Sequence, residues 1–380
     1  MIDVMLSASD KFENISVAVF EGPDCCGKST QVDAFINEAV LDQSYDVIFK
    51  VHFPFNSIGG DKLKDNYNDL VNTIYSDEFL NNIKPSDIGK INDVVLRNID
   101  INHMDKMTFL NTMSYIIRGR RDIDTKVICK NNSLSMKDLI MNKNCDVWFN
   151  GKKLYKQDEE IKMLREYFKM MPSPKVLLVF DRFIISGIIY NYYLPYSILK
   201  NKILDDNSGK YDDMKKPIEK ILDGAYYYQS RNTTDEIDEM NNITTNILNY
   251  EEKCFLGKYD YCNPKVQWFV FKPSEEIYKA FLNDKSRKID DYDSNNLLRS
   301  IVNDYYKILV EGEEKPTLFT VNKFNITCID SDKYIGIYGD KSKEAITSDI
   351  FAKFKNNIKV YETLEEQIYN FYSNMFNKIK

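Results

Sequence analysis

The sequence contains no run of eighteen apolar residues, so it predicts no transmembrane helix. Its opening residues, M-I-D-V-M-L-S-A-S-D, have neither a basic stretch nor a long apolar segment, so no secretory signal is expected. Positive charge is not in excess. The net charge of −7 argues against a general affinity for nucleic acid or anionic membrane. Cys254 and Cys262 stand near one another, but no His or further Cys pair completes a zinc set. Seven cysteines, an odd number at irregular spacing, fit reduced thiols in a cytoplasmic protein. No internal repeat is found. Asn, Lys, Asp, Ile and Tyr are abundant, as in an AT-rich viral or parasitic genome, so a viral chain would sit in host cytoplasm.

What is present centres on Val17 to Thr30, V-A-V-F-E-G-P-D-C-C-G-K-S-T. A short apolar run, Ile15 to Phe20, leads into Gly22-x-x-x-x-Gly27-Lys28-Ser29, and a helical pattern follows from Thr30. Strand, glycine loop, then helix is the context of a phosphate-binding loop. Gly22 and Gly27 carry no Cβ, so the backbone can approach phosphate oxygens. Loop N–H groups and the helix N-terminus would face a polyanion. Lys28 would reach the phosphates and the Ser29 hydroxyl would ligate Mg²⁺.

The remaining chain alternates strands and helices. Strands are expected at Tyr45 to Val51, Val176 to Phe180, Val266 to Lys272 and Asn357 to Tyr361. Phe319 to Gly339 reads as two short β runs, a hairpin. Helices are expected at Thr30 to Val40, Lys106 to Arg120, Glu159 to Met170, Ile184 to Tyr193, Ser274 to Leu282, Asn295 to Leu309 and Leu364 to Phe376. Lys62 to Phe79 and Ser86 to Ile99 read as helix or loop. Asn201 to Gly257 is polar, with tyrosines at Tyr226 to Tyr228, and part of it is expected to be flexible. The alternation predicts an α/β fold with a doubly wound parallel sheet and helices on both faces.

Three stretches together resemble the thymidylate kinases, a branch of the P-loop nucleoside monophosphate kinases. Phe20 to Thr30 is similar to that family's F-E-G-x-D-x-x-G-K-S-T loop. Asp181-Arg182-Phe183-x-x-Ser186-Gly187-x-x-Tyr190 is similar to its D-R-Y-x-x-S-x-x-A-Y segment, and Met113 to Arg118 resembles its F-x-A-x-R helix. Phe53-Pro54 echoes the F-P after strand two, and Val270 to Arg287 the strand, proline-started helix and lid. The resemblance implies a P-loop kinase core over 14–125, 172–200 and 258–380, insertions at 126–171 and 201–257, and a lid loop at 283–293.

It also implies a reaction: Mg²⁺-dependent transfer of the γ-phosphoryl of ATP to a deoxynucleoside monophosphate, dTMP first. ATP would lie on Gly22, Cys25, Cys26, Gly27, Lys28, Ser29 and Thr30, and Mg²⁺ on Ser29 and Asp181. Asp24 would face the acceptor near its sugar 3′-hydroxyl, and Arg182 would bridge donor and acceptor phosphates. Tyr190 would lie near C2′ of the sugar, Ser186 would bond substrate or cap locally, and Phe53 would pack beside sugar or base. Arg118 matches the arginine at the base edge, with Arg120 and Arg121 leaving the register open. The base-stacking Phe of the family falls at Ser114, so Tyr115 or Phe109 would supply a ring instead. Arg287 in Lys285-Ser286-Arg287-Lys288 fits the mobile catalytic arginine of a lid. Family members are usually homodimers, so a homodimer is implied.

The chain departs from the family after Phe53-Pro54, where Phe55 and Asn56 stand in place of an arginine for the acceptor phosphate. Lys62 or Lys64 can substitute; if neither does, a nucleoside becomes conceivable as acceptor. A deoxynucleoside kinase acting on dT or dC is therefore the alternative enzyme. A nucleotide-binding interaction protein whose insertions hold a partner is the alternative outside catalysis.

Overall fold

The computed structural model describes residues 15–53, 68–117, 122–129, 132–171, 174–244, 266–283, 296–311 and 326–357. The strands are β1 (Ile15–Glu21), β2 (Val47–His52), β3 (Val127–Cys129), β4 (Asn132–Leu134), β5 (Cys145–Phe149), β6 (Lys152–Lys153), β7 (Val176–Asp181), β8 (Val266–Phe271) and β9 (Ile326–Ile329). Seven of them form one sheet in the order β6-β5-β2-β7-β1-β8-β9, while β3 and β4 make a separate ribbon. From β2 to β9 neighbouring strands run parallel; β5 pairs antiparallel with β2, and β6 with β5. Every residue of β1, β7 and β8 is buried, which is why V-L-L-V-F shows no polar alternation: both faces are covered.

The helices that matter here are α1 (Lys28–Asp42), α2 (Ile88–Ile117), α3 (Met136–Met141) and α4 (Asp158–Met170). A run of α- and π-helical turns, Ile184–Ile188, Ile189–Tyr193, Leu194–Leu199 and Lys200–Leu204, is taken together as α5. Then come α6 (Asp212–Thr244), α7 (Glu275–Asn283), α8 (Asn296–Glu311), α9 (Ser331–Tyr338) and α10 (342–357). Alternate residues of β1 divide the core. Val17 and Val19 join residues of α2, α5, α6 and α8, whereas Ala18 and Phe20 join α1 and α10. On the second face Phe35 of α1 stands edge-on to Phe20 and to Phe354, at 5.3 and 5.1 Å between centroids. Among the described residues no helix is long and apolar enough to cross a membrane.

The chain leaves neighbouring strands β1 and β7 in opposite directions: α1 returns on one face toward β2, and α5 on the other face toward β8. That divergence opens a crevice at the carboxyl ends of β1 and β7, where sheets of this kind hold ligands.

Several expectations are corrected. The stretch 86–99, read as helix or loop, and the helix read at 106–120 belong to one element, α2; the polar residues His103, Asp105 and Lys106 interrupt the apolar period yet are buried like Ile99 and Phe109. The stretch 126–171 adds strand β5 to the main sheet. The stretch 201–257 contributes the 33-residue α6, whose Met214, Ile218, Leu222 and Ala225 are buried in the core shared with α2. The second β run of 319–339 is instead α9, capped by the Asp330 carboxylate, which accepts from Lys333 N at 3.2 Å. Asn357 is helical, within α10; 358–361, the helix at 364–376 and lid residues 284–293 lie outside the described residues.

Deleting 126–171 would strip β5 from β2, uncovering the edge beside Phe49 and Val51. The expected result is loss of soluble, cooperatively unfolding protein, read by circular dichroism on heating. A deletion that melts like the full chain would show that the strand contributes nothing.

Candidate functional site

The loop between β1 and α1 holds its shape through close packing. An added Cβ at Gly22 would stand 2.8 Å from Phe271 Cβ and 2.9 Å from Cys26 Sγ, so no side chain fits there. Gly27 caps α1 at φ +82°, a left-handed conformation that glycine adopts without strain. Cys25 also turns left-handed, at φ +56°. Cys26 is buried, donates to Pro23 O at 3.1 Å, and burial pushes its thiol up to about 11, so it packs and does not react.

At the start of α1, Lys28 and Ser29 converge on Asp181, the last residue of β7. Lys28 Nζ lies 2.6 Å from Oδ1, and Ser29 Oγ donates to Oδ2 at 2.9 Å. His52, at the end of β2, places Nδ1 3.2 Å from the same Oδ2. Burial works to raise the Asp181 carboxyl, but the His52 bond and the Lys28 charge outweigh it and hold the group well below the usual carboxylate range. Thr30 is exposed beside them.

Arg182 follows Asp181 with φ +72°, its N–H bonded to Phe20 O at 2.9 Å. A non-glycine residue held there stores about 1–3 kcal/mol of strain. The turn aims the guanidinium back at the loop, where it pairs with Asp24. Arg182 Nη1 also reaches Tyr190 Oη at 3.3 Å and Ser186 Oγ at 3.5 Å, and Tyr190 Oη donates to Asp24 Oδ2 at 2.9 Å. Burial opposes ionisation of Asp24, but Arg182 and the Tyr190 bond prevail and lower its carboxyl. Tyr190 sits in the π-helical turn of α5, whose loosened carbonyl accepts from Tyr75 Oη at 3.1 Å.

Behind Arg182 lies Glu21, fully buried. Its Oε1 accepts from Phe183 N at 2.8 Å and Ser186 N at 3.2 Å; Oε2 accepts from Ser186 Oγ and from Tyr306 Oη, the latter at 3.4 Å. The carboxylate caps the start of α5 from another strand. Desolvation raises its pKa against those hydrogen bonds.

Phe53 is buried among rings, 5.6 Å from Phe109, 6.0 Å from Phe180 and 5.3 Å from Phe183. Phe109, one of the alternatives for the stacking ring, is thus part of this wall. Ser114 and Tyr115 fall on the last turns of α2 with side chains outside the described residues, as are Arg118 and Arg287 entirely.

The expected residues that meet are therefore Lys28, Ser29 and Asp181 in one group, and Asp24, Arg182, Ser186 and Tyr190 in a second group beside it. Sequence reasoning missed Glu21, His52 and Tyr306. It also missed a buried polar cluster on α2. His103 Nδ1 lies 3.2 Å from Glu236 Oε1 of α6, and Lys106 Nζ 3.5 Å from Oε2. Between them in sequence Asp105, only 2% exposed, has no hydrogen-bond partner on either oxygen. Desolvation pushes its carboxyl up to about 7 despite the neighbouring Lys106 charge. A break in the apolar period of a helix was the one available signal.

No protein-family model matches this chain, and no curated protein matches it. By its own geometry this is an α/β protein with a glycine loop, a buried Lys–Asp pair and an Arg–Asp–Tyr cluster at the carboxyl ends of its central strands.

Asp181→Asn would leave the Lys28 ammonium buried without its counter-charge, a loss of about 3–5 kcal/mol at neutral pH. Because the folded pKa of Asp181 is depressed, its contribution is present above the ordinary carboxyl pKa and lost as pH falls through and below it. The gap in melting temperature between variant and wild type is expected to narrow in acid. A gap independent of pH contradicts the assignment.

Asp105 has the opposite sign. Its folded pKa is raised, so between the ordinary carboxyl value and about 7 the folded state holds an extra proton and stability falls as pH rises. Asp105→Asn is expected to raise the melting temperature, by more at about pH 8 than at about pH 5, corresponding to about 1–3 kcal/mol. Melting curves at the two pH values check this, and a destabilised variant at the higher pH contradicts it.

Proposed function

We propose that this protein is a thymidylate-kinase-like enzyme of P-loop type that transfers the γ-phosphoryl group of ATP to a deoxynucleoside monophosphate, with dTMP as first candidate. The observation that carries the reading is the adjacency of two groups: Lys28–Asp181–Ser29 after the glycine loop, and Arg182–Asp24–Tyr190 beside it. The first suits the donor phosphates and the second the acceptor.

Both reactants are anions, so catalysis is positioning and charge neutralisation. An oxygen of the acceptor phosphate attacks the γ-phosphorus, the bond from that phosphorus to the β-phosphate oxygen breaks, and ADP leaves. The attacking phosphate is already ionised, so no proton has to be removed. Loop N–H groups and Lys28 hold the donor phosphates. Arg182, fixed by Asp24 and Tyr190, spans acceptor and transferred group. Asp24 would repel phosphate if unpaired; its pairing with Arg182 and Tyr190 offsets that charge beside the acceptor.

Ser29 Oγ and the Asp181 carboxylate are hard oxygen donors on one side of the site, which fits Mg²⁺, an ion usually held by one or two protein oxygens plus substrate phosphates. When bound, the ion neutralises charge on the phosphates. A nucleoside acceptor would need a base for its hydroxyl proton. Both oxygens of Asp24 are engaged, which favours the monophosphate.

The test is ATP consumption with Mg²⁺ and dTMP, dUMP, dGMP, dCMP, dAMP, thymidine or deoxycytidine. Turnover on a monophosphate is expected, with Lys28→Ala and Arg182→Ala each lowering kcat about 100-fold or more. Turnover on nucleosides alone, or ATP binding with no turnover on any acceptor, would overturn the reading.

A further inference from the structure

Asp105, on α2, is the most anomalous polar group among the described residues. It is almost fully buried, yet neither oxygen has a hydrogen-bond partner. Leaving such a group unsatisfied is costly, and a site for an absent ligand is one reason for a fold to retain it. Its place on the helix is informative. Residues 98, 105, 109 and 112 follow one stripe at helical spacing. Asn98 Nδ2 on that stripe donates to Asn191 Oδ1 of α5 at 2.9 Å, and Phe109 stands edge-on to Phe53 at the end of β2. Asp105 therefore lies between the turn that carries Tyr190 and the aromatic wall containing Phe53.

Lys106 occupies the adjoining position. Its ammonium lies 5.8 Å from the centroid of the Phe183 ring and 3.5 Å from Glu236, which leaves donors unfilled. It also fills the space beside Gly187, where an added Cβ would overlap it. Only a glycine at that point of α5 lets the ammonium reach the face that carries Gly187 and Asn191. Glu236, on α6, accepts from His103 as well, so the long helix of the 201–257 stretch braces the cation.

Resting on the phosphoryl-transfer reading above, we propose that Asp105 and Lys106 read the base of the acceptor nucleotide, and that they select a base with a lactam edge, an N–H beside a carbonyl. The carboxylate accepts the N–H and the ammonium donates to the carbonyl oxygen. A lactam N–H is more acidic than an exocyclic amine, and a carbonyl oxygen is a better partner for an ammonium than a ring nitrogen, so charge-assisted bonds favour it. Thymine, uracil and guanine share this edge; cytosine and adenine lack it. Discrimination is large because the buried Asp105 carboxyl stays without a partner when the wrong base is bound.

The experiment compares wild type, Asp105→Asn and Lys106→Met with dTMP, dUMP, dGMP, dCMP and dAMP. It reads kcat and KM separately, together with equilibrium binding of each nucleotide by calorimetry. Wild type is expected to favour lactam bases by about 100-fold in kcat/KM. Each variant is expected to lose at least about tenfold of that preference through KM, with kcat little changed. A purely structural role would weaken all five nucleotides alike. Preference for dCMP or dAMP, or a ratio unchanged in both variants, overturns the proposal. If Lys106→Met fails to fold, Asp105→Asn decides alone. Selective binding of lactam nucleotides with no turnover would support this inference and overturn the phosphoryl-transfer reading, whereas turnover without base preference would do the reverse. Binding of none of the five overturns the inference as well.

Discussion

One buried carboxylate ties the site together. Glu21 ends β1, the strand that leads into the glycine loop, and accepts the first free N–H groups of α5 at Phe183 and Ser186. Without it the start of α5 would be buried with unpaired donors, since Phe183 offers no side-chain cap. With it, β1, β7 and α5 have one relative position, and Tyr306 brings α8 to the same point. Arg182, between Asp181 and Phe183, is therefore fixed at both ends. Its left-handed backbone is tolerated because the surrounding hydrogen bonds over-determine it.

The electrostatics follow from that geometry. Each of the two central carboxylates has a cation within reach: Lys28 for Asp181 and Arg182 for Asp24. Charges are held in a part-dry place before any ligand arrives, which keeps reorganisation small. The pairs also avert the penalty of burying Lys28 and Arg182 alone. Asp105 is the exception. It has a neighbouring charge but no bond, and its raised pKa records that cost. The contrast between satisfied and unsatisfied carboxylates within one core is what separates framework from recognition in this account.

Much of the site was legible in the sequence because its parts are local. Gly22 to Ser29 and Asp181 to Tyr190 are short segments whose spacing alone implies strand-loop-helix geometry, and the structure brings Lys28, Ser29 and Asp181 together. Glu21 stood in the motif, but its role depends on a helix more than 160 residues away, which no local pattern encodes. His52 and Tyr306 arrive from distant elements in the same way. In α2 the apolar period is broken by His103, Asp105 and Lys106, so its first half reads as helix or loop and only its second half as a helix. The second β run of 319–339 was misread because a short apolar stretch is ambiguous, and the capping Asp330 decides for helix. The 201–257 stretch looked polar because α6 buries only one stripe.

The central claim is that donor and acceptor phosphates meet between Lys28 and Arg182. A single compound joining adenosine to thymidine through five phosphates tests it most directly, by equilibrium titration in Mg²⁺. The account predicts a dissociation constant about 100-fold or more below that of ATP or dTMP alone, with the gain lost in Arg182→Ala. Binding no tighter than ATP, or a gain that survives loss of Arg182, would contradict it.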